Sequence, residues 1–101
     1  ADIFTNGNLD GGDISLSSSG GSINTTAGDL DTSSTNGNGG AIALSAPTNI
    51  TAGNMNADGI LNVDGVSDGG DISLTSNQIN LTGGNNSVSS NDGILLLQPF
   101  T

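Results

Sequence analysis

Apolar residues along this chain come singly and alternate with polar or small ones. Ile14-Ser15-Leu16, Ile42-Ala43-Leu44 and Ile72-Ser73-Leu74 are the clearest cases, and each follows a Gly-Gly pair and one further residue: Gly11-Gly12-Asp13, Gly39-Gly40-Ala41 and Gly69-Gly70-Asp71. Alternation with period two predicts short strands with one buried face. No stretch places apolar residues at i, i+3, i+4 and i+7, and Gly, Asn, Ser and Thr are poor helix formers, so no helix is expected.

The motif recurs with starts near residues 11, 39 and 69, at spacings of 28 and 30. A partial fourth copy near 93, Gly93-Ile94-Leu95-Leu96, places its Ile 22 residues after Ile72 and runs on into Leu97, Gln98, Pro99, Phe100 and Thr101. A second apolar point recurs at Ile23, Ile50 and Ile79. A third follows a glycine in Gly28-Asp29-Leu30 and Gly53-Asn54-Met55, with Val88 a looser counterpart. Units of this length, each with about three short strands between Gly-rich turns, predict one all-β domain over 1–101: a parallel β-helix (β-solenoid) of about 3.5 rungs. Equivalent residues of successive rungs would stack ~4.8 Å apart. Ile14, Ile42, Ile72 and Ile94 then form one interior column, and Leu16, Leu44, Leu74 and Leu96 another. The turn glycines are expected where the chain bends at φ > 0.

Composition acts mainly by exclusion. The 101 residues include no Lys, Arg, His, Cys, Trp or Tyr, and the ten acidic residues are all Asp, giving a net charge of −10. Without basic residues there is nothing to neutralise phosphates or anionic lipid, which argues against nucleic-acid binding and membrane-surface attraction. Without His or Cys the chain cannot build a Ser-His-Asp or Cys-His nucleophile system, an ordinary zinc site or a disulfide. No run approaches the ~20 apolar residues of a spanning helix, so no membrane insertion is expected.

The aspartates fall into columns if the repeats are in register. Asp10, Asn38 and Asp68 are equivalent, as are Asp13, Ala41 and Asp71; Asp29 matches Asn54, and Asp31 matches Asn56. No carboxylate then lies directly on another, which avoids like charges well within the ~8 Å Debye length. Asp10-Gly11-Gly12-Asp13 and Asp68-Gly69-Gly70-Asp71 make Asp10, Asp13, Asp68 and Asp71 candidate calcium ligands, calcium being a hard cation that takes carboxylate and carbonyl oxygens. Neither the calcium nonapeptide repeat nor an EF-hand loop is present, which favours solvated turn residues with diffuse cation screening over a coordinated ion. No other cofactor is implied.

The ends of the chain are its most apolar parts. Ile94, Leu95, Leu96, Leu97 and Phe100 cluster at one terminus, and Ile3 and Phe4 stand at the other. A short solenoid exposes unpaired backbone groups and an apolar cross-section at both ends unless something covers them, and no capping helix, edge Lys or Pro before Pro47 is present. These seven residues are therefore candidate subunit-interface residues. The expected partner is another copy of the chain, joined head to tail by rung stacking or by donation of a terminal strand.

Gly-Gly-Asp-Ile-Ser-Leu-Ser-Ser, Ile-Asn-Thr-Thr-Ala-Gly-Asp-Leu, Gly-Asn-Gly-Gly-Ala-Ile-Ala-Leu-Ser-Ala and Asn-Ile-Thr-Ala-Gly-Asn-Met-Asn resemble the repeat region of bacterial filamentous-haemagglutinin-like exoproteins. The terminal Gly-Ile-Leu-Leu-Leu-Gln-Pro-Phe-Thr is similar to a segment that follows such repeats. The resemblance implies a right-handed parallel β-helix, a place at the cell surface and an adhesive or matrix role, with no catalytic residues in this region. The chain departs from the family in being short and in lacking the amino-terminal secretion domain, and its start at Ala1 suggests a processed product.

Three function classes compete. A structural subunit of an extracellular filament or surface fibre fits the bare apolar ends. An adhesin fragment of a longer exoprotein, binding glycan or another surface ligand, is the alternative, but only Phe4 and Phe100 could stack on sugar. A polysaccharide-cleaving enzyme needs two carboxylates at fixed separation with tuned acidity, and nothing here would position a sugar between them, so no enzyme is expected.

Overall fold

The computed structural model describes residues 3–5, 11–34, 37–57, 69–83, 88–90 and 93–100. Among these residues there are eleven strands and no helix. In chain order they are β1 (Ile3–Phe4), β2 (Ile14–Ser17), β3 (Ser22–Asn24), β4 (Leu30–Asp31), β5 (Ile42–Ser45), β6 (Asn49–Ala52), β7 (Met55–Asn56), β8 (Ile72–Thr75), β9 (Ile79–Leu81), β10 (Val88–Ser89) and β11 (Leu95–Gln98). The strands are short because glycine and Asx or Ser turns interrupt each alternating run. Asn24 Oδ1 accepts the Thr26 N–H at 2.9 Å, and Asp31 Oδ1 accepts the Ser33 N–H at 2.9 Å, so both side chains close turns directly after a strand.

All pairing is parallel, and it builds three sheets. The first has the order β1-β4-β7-β10, the second β2-β5-β8-β11 and the third β3-β6-β9. The chain visits them in the same cyclic order throughout, so each repeat contributes one strand to every sheet. Register follows the repeat: Ile14 pairs with Ile42 and Ile42 with Ile72; Leu16 pairs with Leu44 and Leu44 with Leu74. Ile23, Ile50 and Ile79 line up in the third sheet, and Ile3, Leu30, Met55 and Val88 in the first.

Buried residues from all three sheets meet in one hydrophobic cluster, including Leu30 and Met55, Ile42, Leu44, Ile72 and Leu74, and Ile50 and Ala52. The middle repeat is the most buried, with β5 and β6 alternating strictly between buried and half-buried positions. Burial fades toward both ends because a side chain in a column is covered only if a repeat lies on each side of it. Leu74 is fully buried between Leu44 and Leu97, whereas Leu97 itself is 50% exposed.

Two expectations need correction. First, β11 pairs one residue away from the register expected from sequence: Leu95 lies on Ile72, Leu96 on Ser73, Leu97 on Leu74 and Gln98 on Thr75. Leu95 and Leu97, not Ile94 and Leu96, continue the interior columns. The backbone sets this shift, because a Cβ on Gly93 would run into the Gly70 carbonyl, as one on Gly70 would run into that of Gly40. Glycine must therefore stack on glycine, and the residue after Gly93, Ile94, falls in the column of Asp13, Ala41 and Asp71. Second, Gly11, Gly12, Gly40, Gly70 and Gly93 do not adopt left-handed φ. At Gly40, Gly70 and Gly93 the missing side chain serves close backbone approach between repeats.

Candidate functional site

The seven candidate interface residues separate into two groups at opposite ends of the molecule. Ile3 and Phe4 lie on β1, the edge strand of the first sheet, and are 38% and 57% exposed. Ile94 to Leu97 and Phe100 lie on and beside β11, the far edge strand of the second sheet, and every one of them is exposed. β11 is apolar on both faces. Leu95 and Leu97 continue columns that point into the core, while Ile94 and Leu96 stand over Asp71 and Ser73 in columns that are otherwise polar or small.

The strand is fixed along its lower edge. Asp71 Oδ1 accepts the Ile94 N–H at 3.0 Å, Asn77 Oδ1 accepts the Phe100 N–H at 3.0 Å, and Gln98 Nε2 donates to Thr75 Oγ1 at 3.0 Å. Its upper edge is open. In each earlier repeat the residue of this column donates its N–H to the following strand, from Ile14 to Ala41 O, from Ile42 to Asp71 O and from Ile72 to Ile94 O. Leu95 holds the same position with no strand beyond it among the described residues.

Of the candidate calcium ligands, Asp10 and Asp68 lie outside the described residues. Each is the turn-mate of one described residue, Asp13 and Asp71, which occupy one column with Ala41 between them, two strand spacings or about 10 Å apart. Each of these two carboxylates accepts a backbone N–H from the following repeat, Asp13 from Ala41 at 2.9 Å and Asp71 from Ile94 at 3.0 Å. Among the described residues no three acidic side chains cluster as a metal site. The charge-assisted bond to the next repeat gives both turn aspartates a structural task, whereas the sequence alone reads them as calcium ligands or solvated turn residues.

Asp29 matches Asn54, whose Nδ2 donates to Asp29 Oδ1 at 3.0 Å, and Asp31 matches Asn56. Asp29 and Asn54 line an open polar groove of about 320 Å³ at the corner between the third and first sheets, together with Thr26, Gly28, Gly53 and Thr82. No aromatic ring lines it. Sequence reasoning missed Thr32, which is fully buried and donates from Oγ1 to Gly40 O at 2.6 Å, tying the first sheet to the glycine column. Its only signal in the sequence was its place two residues after Leu30.

No family model matches the chain, and neither a curated protein nor a solved structure matches it. No helix among the described residues is long and apolar enough to cross a membrane.

Proposed function

We propose that this chain is the structural subunit of an extracellular filament or surface fibre, folded as a parallel β-solenoid of about three and a half turns and assembled head to tail. The solenoid reading is supported by the cyclic passage of the chain through three parallel sheets, in which like residues stack on like. The observation that carries the assembly reading is β11: an edge strand whose inward leucines, Leu95 and Leu97, are 44% and 50% exposed where their counterparts one repeat earlier are fully buried. An unpaired edge with exposed apolar side chains is a template for another strand. The absence of Lys and Arg gives such a fibre a uniformly acidic surface that resists bundling, and the resemblance to haemagglutinin-like repeats agrees with a place outside the cell.

Electron microscopy of the purified protein at physiological salt, with and without a calcium chelator, tests the reading. Uniform thin filaments that survive chelation are expected. Folded monomers at all concentrations would overturn it in favour of the alternative, an adhesin fragment of a longer exoprotein in which further repeats cover β11.

A further inference from the structure

If copies of this chain stack end to end, as proposed above, the residues at the two ends determine how. We infer that the open edge of β11 receives β2 of a second copy, with Gly12 of that copy on Gly93, Ile14 on Leu95 and Leu16 on Leu97, while β1 of the same copy lies on β10 with Ile3 on Val88.

The inward columns that meet this junction continue in kind. The interior column Ile14-Ile42-Ile72-Leu95 runs on into a second Ile14, and Leu16-Leu44-Leu74-Leu97 into a second Leu16. In the first sheet, Ile3-Leu30-Met55-Val88 runs on into a second Ile3. The acidic column alternates between Asp13, Ala41, Asp71 and Ile94, so the junction sets the next Asp13 on neutral Ile94 and keeps carboxylates two spacings apart. Shifting the second copy by one residue would place its Asp13 or Ser15 on Leu95 in an interior column, because alternate residues of a strand point to opposite faces.

Gly12 adds an independent indication. In Gly40, Gly70 and Gly93 the space of a Cβ is taken by the backbone of the preceding glycine in the column. Gly12 is the first member, and within one chain its Cβ would meet only Thr5, with the nearest atom at an ordinary 3.4 Å. Its φ is not left-handed either. Nothing among the described residues of the isolated chain requires glycine there, whereas the junction places the Gly93 carbonyl of the preceding copy at that spot.

The strand count makes a further demand. Eleven strands visiting three sheets in turn end on the second sheet, so the second copy's β1 and β2 seat directly on β10 and β11, but its β3 stands two strand positions above β9 with one place empty between them. Two sheets become continuous and the third keeps an open edge at β9. The Ile50 N–H donates to Gln78 O in the strand beyond, which by register aims the Ile79 and Leu81 N–H groups at that edge.

Sedimentation velocity and far-UV circular dichroism on the full chain and three variants test the junction. Wild type and Leu96→Ser are expected to associate alike, since Leu96 stands in the outward column of Ser15, Ala43 and Ser73. Gly12→Ala and Leu97→Asp are expected to keep the β-sheet spectrum and lose association at concentrations where wild type is polymeric. Should Gly12→Ala fail to fold, Leu97→Asp decides alone. In the wild-type assembly, the Leu95 and Leu97 amides are expected to exchange more slowly than those of Ile79 and Leu81. Wild type that associates while folded Gly12→Ala and Leu97→Asp associate equally well would overturn this junction and leave the filament reading standing. Wild type that stays monomeric would overturn both.

Discussion

Gly40→Ala tests the contact on which the repeat register rests. A Cβ at Gly40 would be driven onto the carbonyl oxygen of Gly12, and would lie 2.6 Å from the carbonyl carbon and 2.8 Å from Gly11 O. Moving the carbonyl carbon out to an ordinary 3.4 Å requires a backbone shift of at least 0.8 Å (3.4 minus 2.6). Neither side can yield through a flexible side chain, because both contacting groups are backbone. Such overpacking costs about 1–3 kcal/mol. The shift also pulls Gly40 away from Thr32, which accepts the Gly40 N–H at 2.7 Å and donates its buried hydroxyl to Gly40 O at 2.6 Å. The hydroxyl keeps a longer acceptor, Asn56 O at 3.4 Å, so loss of the Gly40 bond adds about 0.5–1.5 kcal/mol. The expected loss is thus about 1.5–4.5 kcal/mol from a total that for a chain of this length is about 5–15 kcal/mol. Urea denaturation followed by circular dichroism measures it, with Gly20→Ala as the control. A Cβ on Gly20 meets nothing within 4 Å, and a stiffer unfolded chain should make that variant neutral or more stable by up to about 1 kcal/mol. Gly40→Ala unfolding at the same midpoint as Gly20→Ala would refute the close-approach account of the glycine column.

Four further outcomes follow from the structure. Ile72→Ala empties a fully buried site between Ile42 and Leu95, and denaturant unfolding should record a loss of about 2–5 kcal/mol. Ser76 is buried, its hydroxyl has no hydrogen-bond partner among the described residues, and Ala46 holds the equivalent place one repeat earlier; Ser76→Ala should therefore raise stability by about 1 kcal/mol in the same assay. Asp71→Ala removes the acceptor of the Ile94 N–H while Asp71→Asn keeps an oxygen in place, so hydrogen exchange at Ile94 should quicken in the first variant and change little in the second. Because the chain carries a net charge of −10 with no compensating cation, light scattering should record association strengthening as salt is raised from low ionic strength, where self-repulsion is least screened.

The period, the strand-forming stretches and most of the register were legible in the sequence. A repeating pattern of one Ile-x-Leu after each Gly-Gly pair leaves parallel stacking of like on like as the arrangement that buries every isoleucine and leucine together. The pairing of Ile14, Ile42 and Ile72, and of Asp31 with Asn56, follows that logic. The position of β11 was not legible, because matching Ile94 to Ile72 by residue type competes with matching Gly93 to Gly70 by backbone clearance. Only packing in three dimensions reveals that clearance is the stricter condition: a displaced hydrophobe costs part of one contact, whereas a Cβ inside a neighbouring carbonyl forces two backbones apart. What the sequence did not reveal at Asp13 and Asp71 is the bond each carboxylate makes, while their turn-mates Asp10 and Asp68 lie outside the described residues. Sequence brings each aspartate beside glycines, but only the stacking of repeats brings each carboxylate to an N–H of the next one. The sequence by itself thus determined what stacks on what within the repeats. The tertiary structure decided where the stack ends and which side chains are left uncovered there, because exposure depends on having a neighbour on both sides, and no local pattern distinguishes buried Leu74 from half-exposed Leu97.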